Sequence, residues 1–262
     1  MNTRRDYTNA PQRVKDFYYQ QHSKLDYNYV VKRQKEFKER TKKQYSIKTL
    51  LELLDDIVDP SDPDINESQI HHAFQTAEAL RNSLDSHKLE WLPLVGLIHD
   101  IGKVALKLYN IEWFESAGDS FPLGCQFSDK VILNCGFQDN PDTNNSKYNT
   151  KLGIYSQNCG FDNCLFWGHD EIMYQVLLNS MSNLPEEALY IIRYHSFYSW
   201  HTCGGYDYLA SPKDKEYLKY LKIFQKADLY SKSNSELYTI QKLNEPYYQN
   251  LIKKYLPNNL KF

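Results

Sequence analysis

Several features that would narrow a function quickly are missing from this chain. No apolar run approaches the ~20 residues needed to cross a bilayer as a helix, so no membrane span is expected. The first residues, MNTRRDYTNAPQ, contain no apolar stretch of the kind a secretory signal carries. Neither sign of charge dominates: 31 Lys and Arg stand against 33 Asp and Glu, a net charge of −2. That balance gives no global field for nucleic acid or an anionic membrane surface. The five cysteines (Cys125, Cys135, Cys159, Cys164 and Cys203) are odd in number and form no CxxC pair. They argue against a disulfide framework or thiolate zinc cluster, and read as reduced thiols of a cytoplasmic protein. Internal repeats are absent too.

Aromatic residues are plentiful: 22 Tyr, 12 Phe and 4 Trp, a load incompatible with a disordered chain. A chain of 262 residues buries roughly 70–75% of its unfolded surface, enough for one large core. After an irregular lead-in over 1–11, the composition is helical from Gln12 to about Lys43. The basic residues at its end, Lys32 to Lys43, alternate with Glu36 and Glu39 and read as a solvated face. Ser46 is a candidate N-cap for a helix with Ile47, Leu50, Leu51, Leu54, Ile57 and Val58 on one side. Pro60 and Pro63 in DPSDPD stop that helix. Ser68 restarts one through QIHHAFQTAEALRNSL, and Pro93 opens another expected to run to about Tyr109. From 113 to 166 the periodicity disappears into Asn-, Asp-, Gly- and Pro-rich turns, a loop region long enough to act over a site. Its apolar piece VILNCGF is a candidate for a short hairpin strand. Helices are expected again from Trp167, from Pro185 at N1, from Ser211 and Pro212 (with Leu218, Leu221, Phe224 and Leu229 facing inward) and over EPYYQNLIKKYL. The fold class expected is mainly α: a single-domain helical bundle over 1–262 with a long loop region and at most a short β-hairpin.

Within this pattern, Leu94–Val104 (LVGLIHDIGKV) is too densely apolar for a surface helix with one apolar stripe. Burying His99, Asp100 and Lys103 there requires strong partners, and a metal satisfies His and Asp together. Histidines on other apolar-faced helices are His72, His169 and His195, and Asp228 lies in the apolar context FQKADLY. His71 must point away from its neighbour His72, while His22 and His87 fall in polar contexts and are expected at the surface. Asp170 and Glu171 read either as support for His169 or as a solvated face. The order H…HD…H…H…D, each on its own helix, is the metal arrangement of HD-type domains: His72, His99, Asp100, His169, His195 and Asp228. Asp100 can serve His99's centre only if it lies between two ions. Lys103, one turn on, suits an anionic or deprotonating ligand better than a metal.

The chain resembles the inositol oxygenase family from about Arg5 to Tyr255. The resemblance is carried by LDDIVDPSDPD, HAFQTAEALR, LVGLIHDIGK, GDSFPLGC, FQDNPD, WGHDE, RYHSFYSWHT and DLYSK. It implies an oxygenase that cleaves the ring of myo-inositol with O2 to give D-glucuronate. The cofactor implied is two iron ions per chain, a mixed-valent Fe(II)/Fe(III) pair bridged by Asp100 and a hydroxide or oxide. His72, His99 and Asp228 would hold one iron, and His169 and His195 the other. Arg5, Asp59, Pro60, Ser61, Lys103, Gly118, Asp119, His195, Ser196 and Lys232 would contact the polyol. Lys103 and Asp100 would be the catalytic side chains, Lys103 stabilising a substrate alkoxide. Myo-inositol and O2 would be the partners of a cytoplasmic monomer, with no nucleic acid and no membrane.

Against the family pattern, His71 stands where an apolar residue is expected, the lead before Arg5 is short, and the loop HTCGGYDY is one residue longer. The competing reading is a metal-dependent HD phosphohydrolase that uses the same ligands to activate water. Lys103 with its polyol-type neighbours, and the lack of a further basic cluster for phosphate, weigh against it.

Overall fold

The structure, a computed structural model, describes residues 7, 9–40, 42–63, 68–83, 88–230 and 238–262, the side chains of 229 and 230 excepted. Arg5, His87 and Lys232, and the inward-facing side chain expected of Leu229, therefore lie outside the described residues. The architecture is mainly helical, as the patterning implies. The basic segment forms two helices, α1 (Gln12–Lys24) and α2 (Tyr27–Glu39), where the sequence suggested one. The break is a capping event: Asp26 leaves helical geometry and its carboxylate accepts from the Tyr29 N–H, starting α2 afresh.

Ser46 and Ser68 cap α3 (Ile47–Asp55) and α4 (Gln69–Arg81) through their hydroxyls. Val58, expected on the apolar side of α3, lies beyond its end and is exposed. The expected helix over 93–109 is instead three pieces. These are α5 (Leu92–Ile98), a 3-10 turn over His99–Val104, and α6 (Ala105–Tyr109). Every residue from Leu92 to Val104 is buried, so the all-round burial read from the sequence holds although the regular helix does not. The reason for the tighter turn lies at Gly102. A Cβ there would sit 2.0 Å from the backbone oxygen of His169. Only glycine lets this turn press onto the start of the helix that follows the loop region.

The loop region over 113–166 begins with α7 (Trp113–Ser116) and otherwise contains short 3-10 turns and one isolated antiparallel bridge, Leu123 to Leu165. The apolar piece VILNCGF forms no strand. The sheet consists of β1 (Gln44–Tyr45) and β2 (Leu260–Lys261), antiparallel and far apart in sequence, so it is not the expected hairpin. The remaining helices are α8 (His169–Asn179), α9 (Glu186–Tyr194), α10 (Tyr198–His201), α11 (Pro212–Tyr230) and α12 (Pro246–Tyr255). Pro185 is the N-cap of α9, one position before the N1 expected. Ser211 caps α11 as expected, exchanging hydrogen bonds with Asp214.

His22 corrects the reading most clearly. Expected at the surface, it is fully buried on α1, stacked on Phe137 with ring centroids 4.1 Å apart. Its polar flanks, Gln20, Gln21 and Ser23, hid an apolar niche built by the distant loop region. Among the described residues no helix is long and apolar enough to cross a membrane.

Candidate active site

One cavity gathers most of the side chains singled out from the sequence. Asp59, Ser61, His72, His99, Asp100, Lys103, Gly118, Asp119, His169, His195, Ser196 and Asp228 all line it. Pro60 does not; its carbonyl accepts from Arg13 Nη1 at 3.1 Å on the outside of the same loop.

Three imidazoles are anchored alike. His99 Nδ1 lies 2.8 Å from Gly96 O, His195 Nδ1 3.0 Å from Ile192 O, and His169 Nδ1 2.8 Å from Ser116 O. A carbonyl can only accept, so each Nδ1 carries a proton and each ring turns its Nε2 inward, where the neutral form presents a lone pair. In α5 and α9 the anchoring carbonyl sits three residues back in the same helical turn. For His169 it comes from α7, which Arg33 holds in place by an ion pair to Glu115 at 2.5 Å.

These lone pairs converge on Asp100. Its Oδ1 is 3.3 Å from His169 Nε2 and 3.7 Å from His195 Nε2; its Oδ2 is 3.4 Å from His99 Nε2 and 4.0 Å from His72 Nε2. Asp228 Oδ1 completes the second side, 3.0 Å from His72 and 3.6 Å from His99. Two potential metal-binding groups result, His72–His99–Asp100 and Asp100–His169–His195, and they share one carboxylate. Ligand atoms bonded to one small cation at about 2.1 Å stand roughly 3–4.2 Å apart, depending on the angle between them, and the distances in both groups fall in that range. The 3.2 Å between His169 Nε2 and His195 Nε2 makes the same point. Two neutral rings facing each other by their lone pairs repel unless a proton or a cation sits between them. The donor set thus fits two cations; nitrogen and oxygen ligation without thiolate suits iron among several metals.

The electrostatics agree. Burial tends to raise the Asp100 carboxyl, but Lys103 and His99 overcome it and hold the group well below the usual carboxylate range. Asp228 is likewise held well down against burial, chiefly by His72. Burial lowers His72 and His169. His195 alone is pushed up, to about 9: burial opposes its charge, but Asp170 and Asp100 outweigh burial.

Lys103 is committed three ways: to Asp59 Oδ2 at 2.7 Å, Asp100 Oδ2 at 2.9 Å and Gln69 Oε1 at 2.9 Å. Burial works against its charge, yet the two carboxylates keep it above the ordinary lysine range. Asp59 in turn fixes Ser61 through both its N–H and its hydroxyl, so this ammonium organises the loop after α3. Gly118 has φ +78°, and a Cβ there would lie 2.6 Å from Phe17. The turn it allows brings Asp119 within 3.3 Å of Tyr18 OH and Ser120 onto Ser196.

Several contributors escaped the sequence reading. Tyr198 lines the cavity and donates to Asp228 Oδ2 at 2.6 Å. Gln69 lies three residues before His72 on α4, a helical spacing that points to it in hindsight. Tyr18 and Lys130 left no such signal, because the loop region brings them in. Asp170 and Glu171 are both buried, not solvated; Glu171 pairs with Arg193 at 2.7 Å. His71 does point away from the cavity: it is buried and its Nδ1 accepts from the Tyr238 N–H at 2.9 Å, which accounts for a polar residue at that place.

With this geometry in hand, comparisons with known proteins are direct. A family model described as "Myo-inositol oxygenase" matches residues 11–262. The chain is 44% identical over 265 residues to "Inositol oxygenase 5" of Arabidopsis thaliana, covering 98% of this chain and 83% of that one. It is 43% identical to "Inositol oxygenase" of Dictyostelium discoideum, covering 98% and 88% of the two chains. To "Inositol oxygenase" of Rattus norvegicus it is 40% identical, covering 98% and 90%.

Proposed function

The chain belongs to the myo-inositol oxygenase family, an oxidoreductase family, and from that premise we propose that it uses O2 to open the ring of myo-inositol to D-glucuronate on two iron ions. The observation that carries this reading is Asp100, buried on the 3-10 turn with one oxygen toward each pair of histidines. His72, His99 and Asp228 would hold one iron, His169 and His195 the other, and Asp100 both. When bound, the mixed-valent pair supplies the one-electron chemistry that couples O2 to a four-electron oxidation of the substrate.

The protein's own groups do the rest. A neutral polyol is held by many hydrogen bonds, and Asp59, Ser61, Asp119, Ser196 and Lys103 offer them from four separate stretches of chain. All three ammonium protons of Lys103 are engaged, so a substrate oxygen reaches it by replacing one partner. A fixed, buried cation at that point stabilises negative charge developing on a substrate oxygen. Arg5 and Lys232 are proposed as further polyol contacts on the resemblance alone. A cytoplasmic monomer completes the proposal and rests on the sequence.

The test is to load the protein with iron, add myo-inositol, and follow O2 uptake together with glucuronate. Consumption of both reactants with glucuronate appearing supports the reading. No O2 uptake, alongside phosphate release from a nucleotide, replaces it with the HD phosphohydrolase.

A further inference from the structure

Asp170 is buried, does not line the cavity, and is not one of the proposed metal ligands or polyol contacts. Its Oδ2 nevertheless receives Ser196 twice, from the N–H at 3.2 Å and from the hydroxyl at 2.5 Å. Ser120 Oγ approaches the same oxygen at 3.5 Å. The Ser120 N–H is shared between Ser196 O at 3.1 Å and Ser196 Oγ at 3.2 Å. A serine hydroxyl has one proton and two lone pairs. Here the proton is spent on Asp170, while the Ser120 N–H claims only a shared part of one lone pair.

What Ser196 can still offer the cavity is lone-pair acceptance, with no proton left to donate. We propose that Asp170 is a positioning residue that makes Ser196 an obligate acceptor, so that the site selects a polyol hydroxyl able to donate at that point. The inference rests on the polyol reading above and deepens it by assigning a direction to one hydrogen bond. A rival role is visible on the page. Asp170 Oδ1 has no hydrogen-bond partner and lies 3.3 Å from His169 Nε2, and Oδ2 is 3.9 Å from His195 Nδ1. Acting through those imidazoles, Asp170 would tune the metal centre instead of the substrate.

The two roles separate in a double-mutant cycle read by calorimetry, titrating myo-inositol into the iron-loaded protein without O2. Ser196→Ala is expected to weaken affinity about tenfold. Asp170→Ala should weaken it as much, because the freed hydroxyl turns its proton away from the acceptor role. The doubly substituted protein should be no weaker than Ser196→Ala alone. Asp170→Asn keeps an amide oxygen for Ser196 and should stay within about twofold of wild type, and iron per chain should be unchanged in all. Additive losses of about a hundredfold, loss of iron from Asp170→Ala, or an Asp170→Asn as damaging as Asp170→Ala would each overturn the proposal in favour of the metal-centred role.

A second measurement does not depend on the folding of any Asp170 variant. Monodeoxy-monofluoro-myo-inositols present an acceptor in place of one hydroxyl. Wild type should reject the analogue fluorinated at one ring position, and Ser196→Ala should lose that discrimination. Equal discrimination by both proteins at every position would overturn the proposal. A wild type that binds myo-inositol not at all sinks the functional reading, whereas binding with an additive cycle sinks this proposal alone.

Discussion

The floor and the rim of the cavity are held by different kinds of contact. On the floor, His99 and His195 are anchored by carbonyls three residues back in their own helices. Around the rim, apart from Ser61 on Asp59, contacts come from far away in the chain: Tyr18 is held by Asp119, 101 residues on, and Ser120 by Ser196, 76 residues on. Lys103 joins the two, bonded to Asp100 in the floor and Asp59 in the rim. Local anchors form with the helix and need little else. Distant anchors exist only once the loop region has packed on α1, which supports it through Gln21 to Ala117 O and His22 to Cys135 O. The His99 and His195 side of the floor should therefore be stiff and tolerant of changes in the rim, whereas His169, anchored by Ser116 O of α7, should feel them.

The harshest break of this picture is Asp100→Ala. Both metal groups lose their shared ligand, and activity should fall at least about a thousandfold, beyond the 10–100-fold typical of a residue behind the ligands. The coupled iron pair should vanish from the spectrum; its survival would remove Asp100 from the bridging role. Next comes Lys103→Ala, which leaves Asp59 and Asp100 without their cation. Removing one partner from a buried pair costs about 3–5 kcal/mol, read as a lower melting temperature. Iron content should persist while substrate binding or turnover weakens, and unchanged kinetics would refute the link between floor and rim.

Gly102→Ala tests the floor alone. The added methyl meets the His169 backbone at 2.0 Å, and neither backbone can move without shifting a histidine. A loss of about 3 kcal/mol is expected in urea unfolding, together with weaker metal retention. Wild-type iron content in a stable variant would show that the close approach is dispensable.

The smallest effect belongs to the rim's support. Burial lowers His22 to about 4 from the ordinary 6.5, so the unfolded chain takes up a proton first. Its neutral contribution is fully present above pH 6.5 and is lost as pH falls toward 4, up to about 3 kcal/mol in all. His22→Phe should flatten that acid limb in urea melts at stepped pH. An unaltered limb would place the acid sensitivity elsewhere.

Much of this was legible in the amino-acid order. The proposed ligands stand in apolar contexts, where a lone charge would be intolerable, and the caps at Ser46, Ser68 and Ser211 announce themselves by residue type. Illegible were the burial of His22, the tight turn forced at Gly102, and the attachment of Tyr198 to Asp228. Each depends on a neighbour that sequence distance conceals.

By itself, then, the sequence determined the helices and the histidines and aspartates they carry, because periodicity and capping act within a few residues. Only the tertiary structure decided that Asp100 turns one oxygen to each histidine pair, that Lys103 is already fully bonded, and that the Ser196 hydroxyl donates to Asp170. Those facts are directions of hydrogen bonds between segments scores of residues apart, and direction is settled only when the segments meet.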